Sequence, residues 1–218
     1  MILTAQQMRE QLPLYFVMGS LNCIHDPVET LAAAIRGGVT MYQYREKGKG
    51  SLPGESRIRY AKALQQLCKE NGIPFIVNDD VDLAIALDAD GVHIGQEDEE
   101  LPLVRKRMGN KIVGISAHTL YEAMQACEQG ADYIGVGPIY PTSSKQDTFP
   151  VQGTLIIREM RAAGLTIPLV GIGGITEVNG ADVMAAGADG LAVISAISRA
   201  EDVEGAAVRL KEIAAARG

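Results

Sequence analysis

Short apolar runs alternate with amphipathic stretches along the chain. Each run is rich in β-branched or aromatic residues and is bounded by glycine or polar residues, which is typical of a buried strand. Between the runs, apolar residues recur at the spacing of one helix face. The predicted strands are Leu14–Met18, Val39–Tyr44, Ile73–Val77, Gly91–Gly95, Lys111–Ser116, Tyr133–Gly137, Ile167–Gly171 and Gly190–Ile194.

Several predicted helices begin at recognisable capping residues. Asp26 and Pro27 follow the first strand, where Asp suits the N-cap and Pro suits the first helical position. Thr119 begins a capping box before another apolar face. We also expect Thr176 to cap a helix that ends at Gly187.

Strands that alternate with helices eight times predict an α/β fold, a (β/α)₈ TIM barrel. We predict one domain over residues 1–218, with a core from about 14 to 200 and a short N-terminal helical extension. A doubly wound sheet is the alternative, but it rarely needs eight parallel strands in so short a chain. In a TIM barrel the functional residues lie on the loops that follow the strands.

Composition excludes several classes of function. The net charge of −7 and the pI near 5.0 argue against general nucleic-acid binding. Apolar runs stay shorter than the ~18 residues of a membrane span, and we predict no membrane association. The three cysteines form no C-x-x-C pair, and the first residues do not resemble a signal peptide, which favours a cytoplasmic location.

Carboxylates follow two successive predicted strands. Asp79 and Asp80 come just after Ile73–Val77, and Asp98 comes just after Gly91–Gly95. The ends of adjacent parallel strands are neighbours, and hard oxygen ligands at such ends suit Mg²⁺ shared with a phosphorylated substrate. Asp is also a good N-cap. We assign that capping role to Asp80 and the metal to Asp79 with Asp98.

Gln43, Arg45 and Lys47 occupy alternating positions at the end of the second strand. Alternating residues of an extended chain point to one side, so an amide and two cations face the same way. Arg supplies a planar donor fork and Lys a compact charge, which together could bind a diphosphate. The alternative is a solvated surface turn, which the position of Gln43 inside an apolar strand disfavours.

Two later loops predict anion binding. Gly171–Ile175 is glycine-rich, follows strand seven, and would let backbone N–H groups approach an anion closely. Loops after strands seven and eight form a recurrent phosphate site in barrels, which adds Ser195. Pro141–Lys145 carries three hydroxyls and a lysine on a long loop that could act as a lid. Tight glycine packing and an ordinary polar loop are the respective alternatives.

Several of these segments together resemble the thiamine phosphate synthase (thiamine-phosphate pyrophosphorylase) family. The resemblance extends from about Leu14 to Ala200, in order and at matching barrel positions. The segments that carry it are Gln43–Lys47, Asn78–Asp80, Gly95–Asp98, Gly137–Thr142 and Gly171–Ile175. Members of this family join hydroxymethylpyrimidine diphosphate to thiazole phosphate and release diphosphate.

The resemblance implies a role for each matching residue. Those expected to hold the pyrimidine diphosphate are Gln43, Arg45, Lys47, Asn78 and Ser116. Asp79 and Asp98 are expected to hold Mg²⁺, while Gly174, Ile194 and Ser195 seat the thiazole phosphate. Those expected to meet the incoming groups are Thr142, Ser144 and Lys145, and the predicted substrate-binding set also includes Tyr44, Glu46 and Ser143. Arg45, Lys47, Lys145 and Ser116 form the predicted catalytic set.

The implied reaction is dissociative, with cations and Mg²⁺ taking up the charge of the departing diphosphate. One alternative is a thiazole tautomerase on the same barrel, which would use His118 as its working residue. Another is a non-catalytic barrel that binds phosphorylated metabolites. His93 alternates with Val92 and Ile94 and is predicted to point into the barrel. The sequence does not determine the oligomeric state, and a homodimer stays open.

Overall fold

A computed structural model describes residues 3–144 and 149–216. In these residues eight parallel strands close into a barrel in chain order, with the last strand paired to the first. The strands are β1 Leu14–Met18, β2 Met41–Tyr44, β3 Phe75–Asn78, β4 Gly91–Ile94, β5 Ile112–Ala117, β6 Tyr133–Val136, β7 Leu169–Ile172 and β8 Gly190–Val193. The predicted α/β TIM barrel is therefore confirmed.

Helices surround the barrel and follow the strands as predicted. They are α1 Ala5–Gln11, α2 Pro27–Arg36, α3 Gly54–Glu70, α4 Val81–Ala86, α5 Leu101–Met108, α6 Leu120–Glu128, α7 Leu155–Ala162, α8 Gly180–Ala185, α9 Ser195–Ser198 and α10 Val203–Ala215. A 3₁₀ turn, Ser20–Asn22, follows β1. Within the described ranges, none of the helices has the length and apolar character to cross a membrane.

The prediction for the helix after β7 was wrong at its start. Asn179, and not Thr176, is the N-cap residue of α8. The Thr176 backbone N–H donates to Asn179 Oδ1 over 2.8 Å, so a turn separates Thr176 from the helix. The short helix α9, which begins at Ser195, was also not predicted, because four residues are too few for a helical pattern.

The N-terminal extension closes the lower end of the barrel, opposite the loops that follow the strands. Met8 of α1 and Leu12 are fully buried and pack against interior side chains that include Tyr15 and Tyr133. Arg9 of α1 pairs with Asp189 over 3.1 Å and so ties the extension to the start of β8. A second apolar layer lies between the strands and the outer helices.

Interior packing leaves no room for a side chain at Gly114. A Cβ atom there would lie 2.1 Å from the Tyr133 ring. We expect Gly114→Ala to lower the free energy of unfolding by about 1–3 kcal/mol, since overpacking forces neighbours to shift. Denaturant unfolding followed by circular dichroism measures this change.

Gly109→Ala is the comparison variant for that measurement. A Cβ atom at Gly109 would meet nothing within 4 Å, although its φ of +57° favours glycine. This variant therefore reports the backbone cost alone, about 1 kcal/mol. Equal losses in the two variants would contradict the packing argument for Gly114.

Candidate active site

A cavity opens at the end of the barrel where the strands finish. Its walls come from the loops after β2 to β8, so it collects most of the polar residues singled out from the sequence. The predicted residues that line it are Arg45, Lys47, Asn78, Asp79, Asp98, Ser116, Thr142, Ser144, Gly174, Ile194 and Ser195. Residues of seven different strand ends thus surround one space.

The two predicted metal ligands lie together on one side of this cavity. Asn78 of β3 is in register with His93 of β4, so Asp79 and the loop that carries Asp98 follow neighbouring strands. Asp79 has a φ of +63°, and its carboxylate accepts from Lys47 Nζ over 3.0 Å. Asp98 accepts from the Gly95 backbone N–H over 2.6 Å. Both carboxylates are therefore anchored and face the cavity.

Asp79 and Asp98 lie close enough for each carboxyl group to shift the pKa of the other. Burial would raise the pKa of Asp79, but the hydrogen bond and charge of Lys47 outweigh it and hold that pKa below its usual value. The pKa of Asp98 is raised by burial and by the negative charge of Asp79, despite its bond from Gly95. Two carboxylates that repel each other in this way attract a cation.

That donor set fits Mg²⁺. The described residues contain no group of three or more His, Cys, Asp or Glu side chains that could hold a metal ion. Mg²⁺ usually takes one or two carboxylates and completes its octahedron with waters and substrate phosphates. Asp79 and Asp98 match that requirement, and Asp80 has a different role. Its carboxylate caps α4 at Leu83 and pairs with Arg57 over 2.8 Å, which confirms the capping assignment.

The raised pKa of Asp98 predicts that this residue destabilises the metal-free fold at neutral pH. The folded state binds the proton of Asp98 more tightly than the unfolded chain does. The free energy of unfolding is therefore highest in acid and falls as pH rises through the folded pKa of Asp98. Replacing Asp98 with neutral Asn should raise the melting temperature of the metal-free protein near neutral pH. The gain should disappear in acid, where wild-type Asp98 is protonated in both states.

Asp88→Asn is the control for that measurement. Lys111 lowers the pKa of the exposed Asp88 carboxylate. Removing that carboxylate should therefore leave the melting temperature unchanged or slightly lower. Thermal melts of the three proteins in chelator across a pH series provide the comparison. A melting temperature of Asp98→Asn at or below the wild-type value near neutral pH would contradict the assignment.

Cations lie beside the acidic pair. Arg45 is buried, lines the cavity and is held by its backbone N–H, which donates to Met18 O over 3.0 Å. Lys47 also lines the cavity and bridges toward Asp79. Glu46, between them, faces away. It accepts from the Ser20 backbone N–H and hydroxyl over 2.8 and 2.6 Å, and therefore braces the loops that hold the cations.

Other predicted substrate-binding residues lie away from the cavity. Gln43 points into the barrel interior, where its amide donates to Tyr15 over 2.6 Å. Tyr44 lies on the opposite face of β2 and packs against α3, where its hydroxyl donates to Arg57 O. The described residues that line the cavity do not include Gln43, Tyr44, Glu46 or Ser143. Lys145 lies outside the described residues.

Hydroxyls and glycines form the wall opposite the acidic pair. Ser144 Oγ donates to Ser195 Oγ over 3.2 Å, which joins the loop after β6 to the end of β8. Gly174 has a φ of +64°, and a Cβ atom there would lie 2.5 Å from Pro141 O. Only glycine allows these two loops to approach so closely. The predicted glycine-rich turn and hydroxyl loop therefore share one wall.

Sequence reasoning missed an aromatic part of the cavity. His118 stacks on Phe149 with ring centroids 3.7 Å apart, and its Nδ1 lies 2.6 Å from Gly137 O. Both rings line the cavity, together with Gln96, whose amide donates to Ser116 O over 2.6 Å. Phe149 lies in an irregular loop between β6 and α7. Because that loop has no periodic pattern, the sequence did not predict that Phe149 lines the cavity.

Comparison with known proteins agrees with this geometry. A family model described as thiamine monophosphate synthase matches residues 14–197. The chain belongs to the thiamine monophosphate synthase family. A thiamine-phosphate synthase of Bacillus mycoides (strain KBAB4) is 58% identical over 210 residues, 96% of each chain. One from Bacillus cereus (strain B4264) is 59% identical over 206 residues, 94% of each chain.

A solved structure supports membership of the thiamine monophosphate synthase family. Thiamine phosphate pyrophosphorylase from Pyrococcus furiosus superposes with a TM-score of 0.85 at 37% identity, covering 95% of this chain and 98% of that one. The resemblance inferred from the motifs is thus confirmed. Its segments fall within the matched region and at the cavity end of the barrel.

Proposed function

We propose that the protein is a thiamine-phosphate synthase, which transfers the hydroxymethylpyrimidine group from its diphosphate to thiazole phosphate. The observation that carries the proposal is the division of the cavity into two walls. One wall combines Asp79 and Asp98 with Arg45 and Lys47, and suits a diphosphate that arrives with a cation. The other combines backbone and hydroxyl donors around Gly174 and Ser195, and suits a single phosphate.

Asp79 and Asp98 would hold Mg²⁺ in this proposal. When bound, Mg²⁺ supplies positive charge beside the diphosphate oxygens and so makes diphosphate a better leaving group. The anchors of the two carboxylates keep them ready for such an ion, because Lys47 and the Gly95 N–H fix their positions.

The chain's own residues orient the substrates and stabilise charge. Arg45 and Lys47 place donors where negative charge develops on the leaving diphosphate. Asn78 and Ser116 offer hydrogen bonds to the pyrimidine side of the cavity. The wall at Gly174, Ile194 and Ser195 presents the thiazole to the carbon that loses diphosphate. The aminopyrimidine ring delocalises the positive charge that results, so the reaction needs no protein nucleophile.

Lys145, Thr142 and Ser144 belong to the loop after β6. We propose that these side chains contact the incoming groups and that the loop acts as a lid. The stacked His118 and Phe149 rings stand at the same side of the cavity. A flat stack of this kind offers an apolar surface to an aromatic substrate.

An assay of diphosphate release tests the proposal. The protein, both substrates and Mg²⁺ should yield diphosphate and thiamine phosphate together, and omission of either substrate or of Mg²⁺ should stop both. A thiazole tautomerase would isomerise a thiazole substrate without releasing diphosphate. A non-catalytic barrel would bind the substrates and form no product. Either outcome would replace the proposed function, and thiazole phosphate with or without a carboxyl group can be compared in the same assay.

Location and assembly complete the proposal. We place the protein in the cytoplasm, where its phosphorylated substrates would be found, and expect no nucleic-acid or membrane partner. Fractionation of the producing cells tests the location. Light scattering coupled to size-exclusion chromatography distinguishes a monomer from a homodimer.

A further inference from the structure

A continuous series of hydrogen bonds crosses the barrel interior and ends in the cavity. Gln43 Nε2 lies 2.6 Å from Tyr15 Oη, which lies 2.7 Å from Tyr133 Oη. Tyr133 Oη lies 2.9 Å from His93 Nδ1, and His93 Nε2 lies 3.1 Å from Ser116 Oγ. The first four side chains are buried, and the last two, His93 and Ser116, line the cavity. We call these five residues the interior chain.

The barrel is shaped around this interior chain. A Cβ atom at Gly114 would lie 2.1 Å from the Tyr133 ring, and one at Gly135 would lie 3.1 Å from the His93 ring. The Tyr133 ring also stacks on the His93 ring at 5.4 Å and meets the Tyr15 ring edge-on at 5.8 Å. The rings are therefore confined, and their polar atoms keep the partners given above.

The distances alone do not identify the donor in the later hydrogen bonds, and the amide at the start of the interior chain selects one consistent direction. Gln43 Nε2 can only donate, so Tyr15 Oη accepts, and its single proton goes to Tyr133 Oη. Tyr133 then gives its own proton to His93 Nδ1, which must be unprotonated to accept it. A neutral imidazole of this kind carries its proton on Nε2 and donates it to Ser116 Oγ.

We propose that the interior chain holds the Ser116 hydroxyl as a hydrogen-bond donor toward the bound substrate. Because His93 Nε2 donates to the Ser116 oxygen, Ser116 cannot donate to His93, and its own proton is directed to the cavity. The partner of that proton is then a substrate atom with a lone pair, such as a ring nitrogen or an anionic oxygen. Gln43, Tyr15 and Tyr133, which do not line the cavity, are positioning residues that act through His93 and Ser116. The identity of the substrate rests on the proposed function.

Nitrogen NMR of the substrate-free protein tests the first step directly. With ¹⁵N-labelled histidine, the wild-type His93 ring should show a protonated Nε2 and an unprotonated Nδ1 near neutral pH. Spectra of His25→Gln and His118→Gln assign the remaining signal to His93. In Tyr133→Phe, which removes the donor to Nδ1, the other tautomer should become populated. A wild-type His93 ring that is protonated at Nδ1 would overturn the proposal, whatever the protein catalyses.

A double-mutant cycle tests whether the effect passes through Ser116. We expect Tyr133→Phe to weaken the affinity for hydroxymethylpyrimidine diphosphate, measured by calorimetry, by about tenfold to a hundredfold, the cost of a mismatched buried hydrogen bond. In the Ser116→Ala background the same substitution should have almost no further effect. Tyr42→Phe is the matched control, because Tyr42 is another buried strand tyrosine whose hydroxyl donates to Met18 O outside the interior chain.

The outcomes separate positioning from simple packing. Equal losses of affinity for Tyr133→Phe in both backgrounds would show a structural role and overturn the proposal, as would no loss in the wild-type background. Should Tyr133→Phe fail to fold, Gln43→Met removes the first donor and enters the same cycle. A protein that binds no pyrimidine diphosphate at all would refute the proposed function instead, and the NMR experiment would still decide the state of His93.

Discussion

Replacing Asp79 or Asp98 by Asn is expected to reduce turnover by about two to three orders of magnitude, the usual cost of removing a group that stabilises transition-state charge. The two carboxylates line the same cavity. Lys47 outweighs burial and lowers the pKa of Asp79, whereas burial and the charge of Asp79 raise the pKa of Asp98. Asn keeps the shape and can still take a positive φ at position 79, but it contributes a weak, neutral ligand. The Kd for Mg²⁺, measured by calorimetry with the diphosphate substrate present, should rise in parallel.

Asp88→Asn is the matched control for the Asp79 variant. Asp88 also has a positive φ, +48°, and also pairs with a lysine, Lys111. Its carboxylate lies outside the residues that line the cavity, so its replacement should leave turnover and Mg²⁺ affinity unchanged. Turnover of Asp79→Asn or Asp98→Asn within a few-fold of wild type at ordinary Mg²⁺ concentrations would contradict the metal assignment.

Local patterns were enough to predict the barrel and the side of it that carries the site. The apolar runs matched the strands to within one or two residues, because each strand is buried on both faces and ends abruptly at polar residues. Once eight strands alternate with helices, chain order alone brings Asp79 next to the loop of Asp98. The acidic pair could therefore be predicted without any knowledge of side-chain contacts.

The alternation of side chains along β2 also predicts which residues face the cavity and which face the outer helices. Gln43, Arg45 and Lys47 point to the same side of the chain, as predicted, although only Arg45 and Lys47 line the cavity and Gln43 contacts Tyr15 in the interior. Tyr44 and Glu46 point to the other side. The same rule applied strictly would have removed Tyr44 and Glu46 from the substrate-binding set. Their burial against α3 and the Ser20 loop depends on tertiary packing.

Contacts between distant strands could not be predicted. Tyr15 and Tyr133 are separated by 118 positions and meet only because β1 and β6 face each other across a closed barrel. Gly114 leaves the space that the Tyr133 ring fills, but no pattern in the sequence links these two residues. The stack of His118 on Phe149 depends in the same way on the path of an irregular loop.

Replacing Arg45 by Ala should lower kcat/KM by about two to three orders of magnitude, mainly through loss of charge stabilisation on the leaving diphosphate. Arg45 is only 9% exposed and lines the cavity beside Lys47, so its guanidinium acts where water screens poorly. Arg45→Lys should recover little of the loss, because a lysine keeps the charge but lacks the planar fork that binds two oxygens at once. Steady-state kinetics with the pyrimidine diphosphate as the varied substrate provide the test.

Arg36→Ala is the control for the Arg45 variants. Arg36 is exposed and pairs with Glu204 on the outside of the barrel, so its loss should change kcat/KM by less than about twofold. Full activity in Arg45→Lys would show that charge alone suffices, and full activity in Arg45→Ala would remove Arg45 from the diphosphate site.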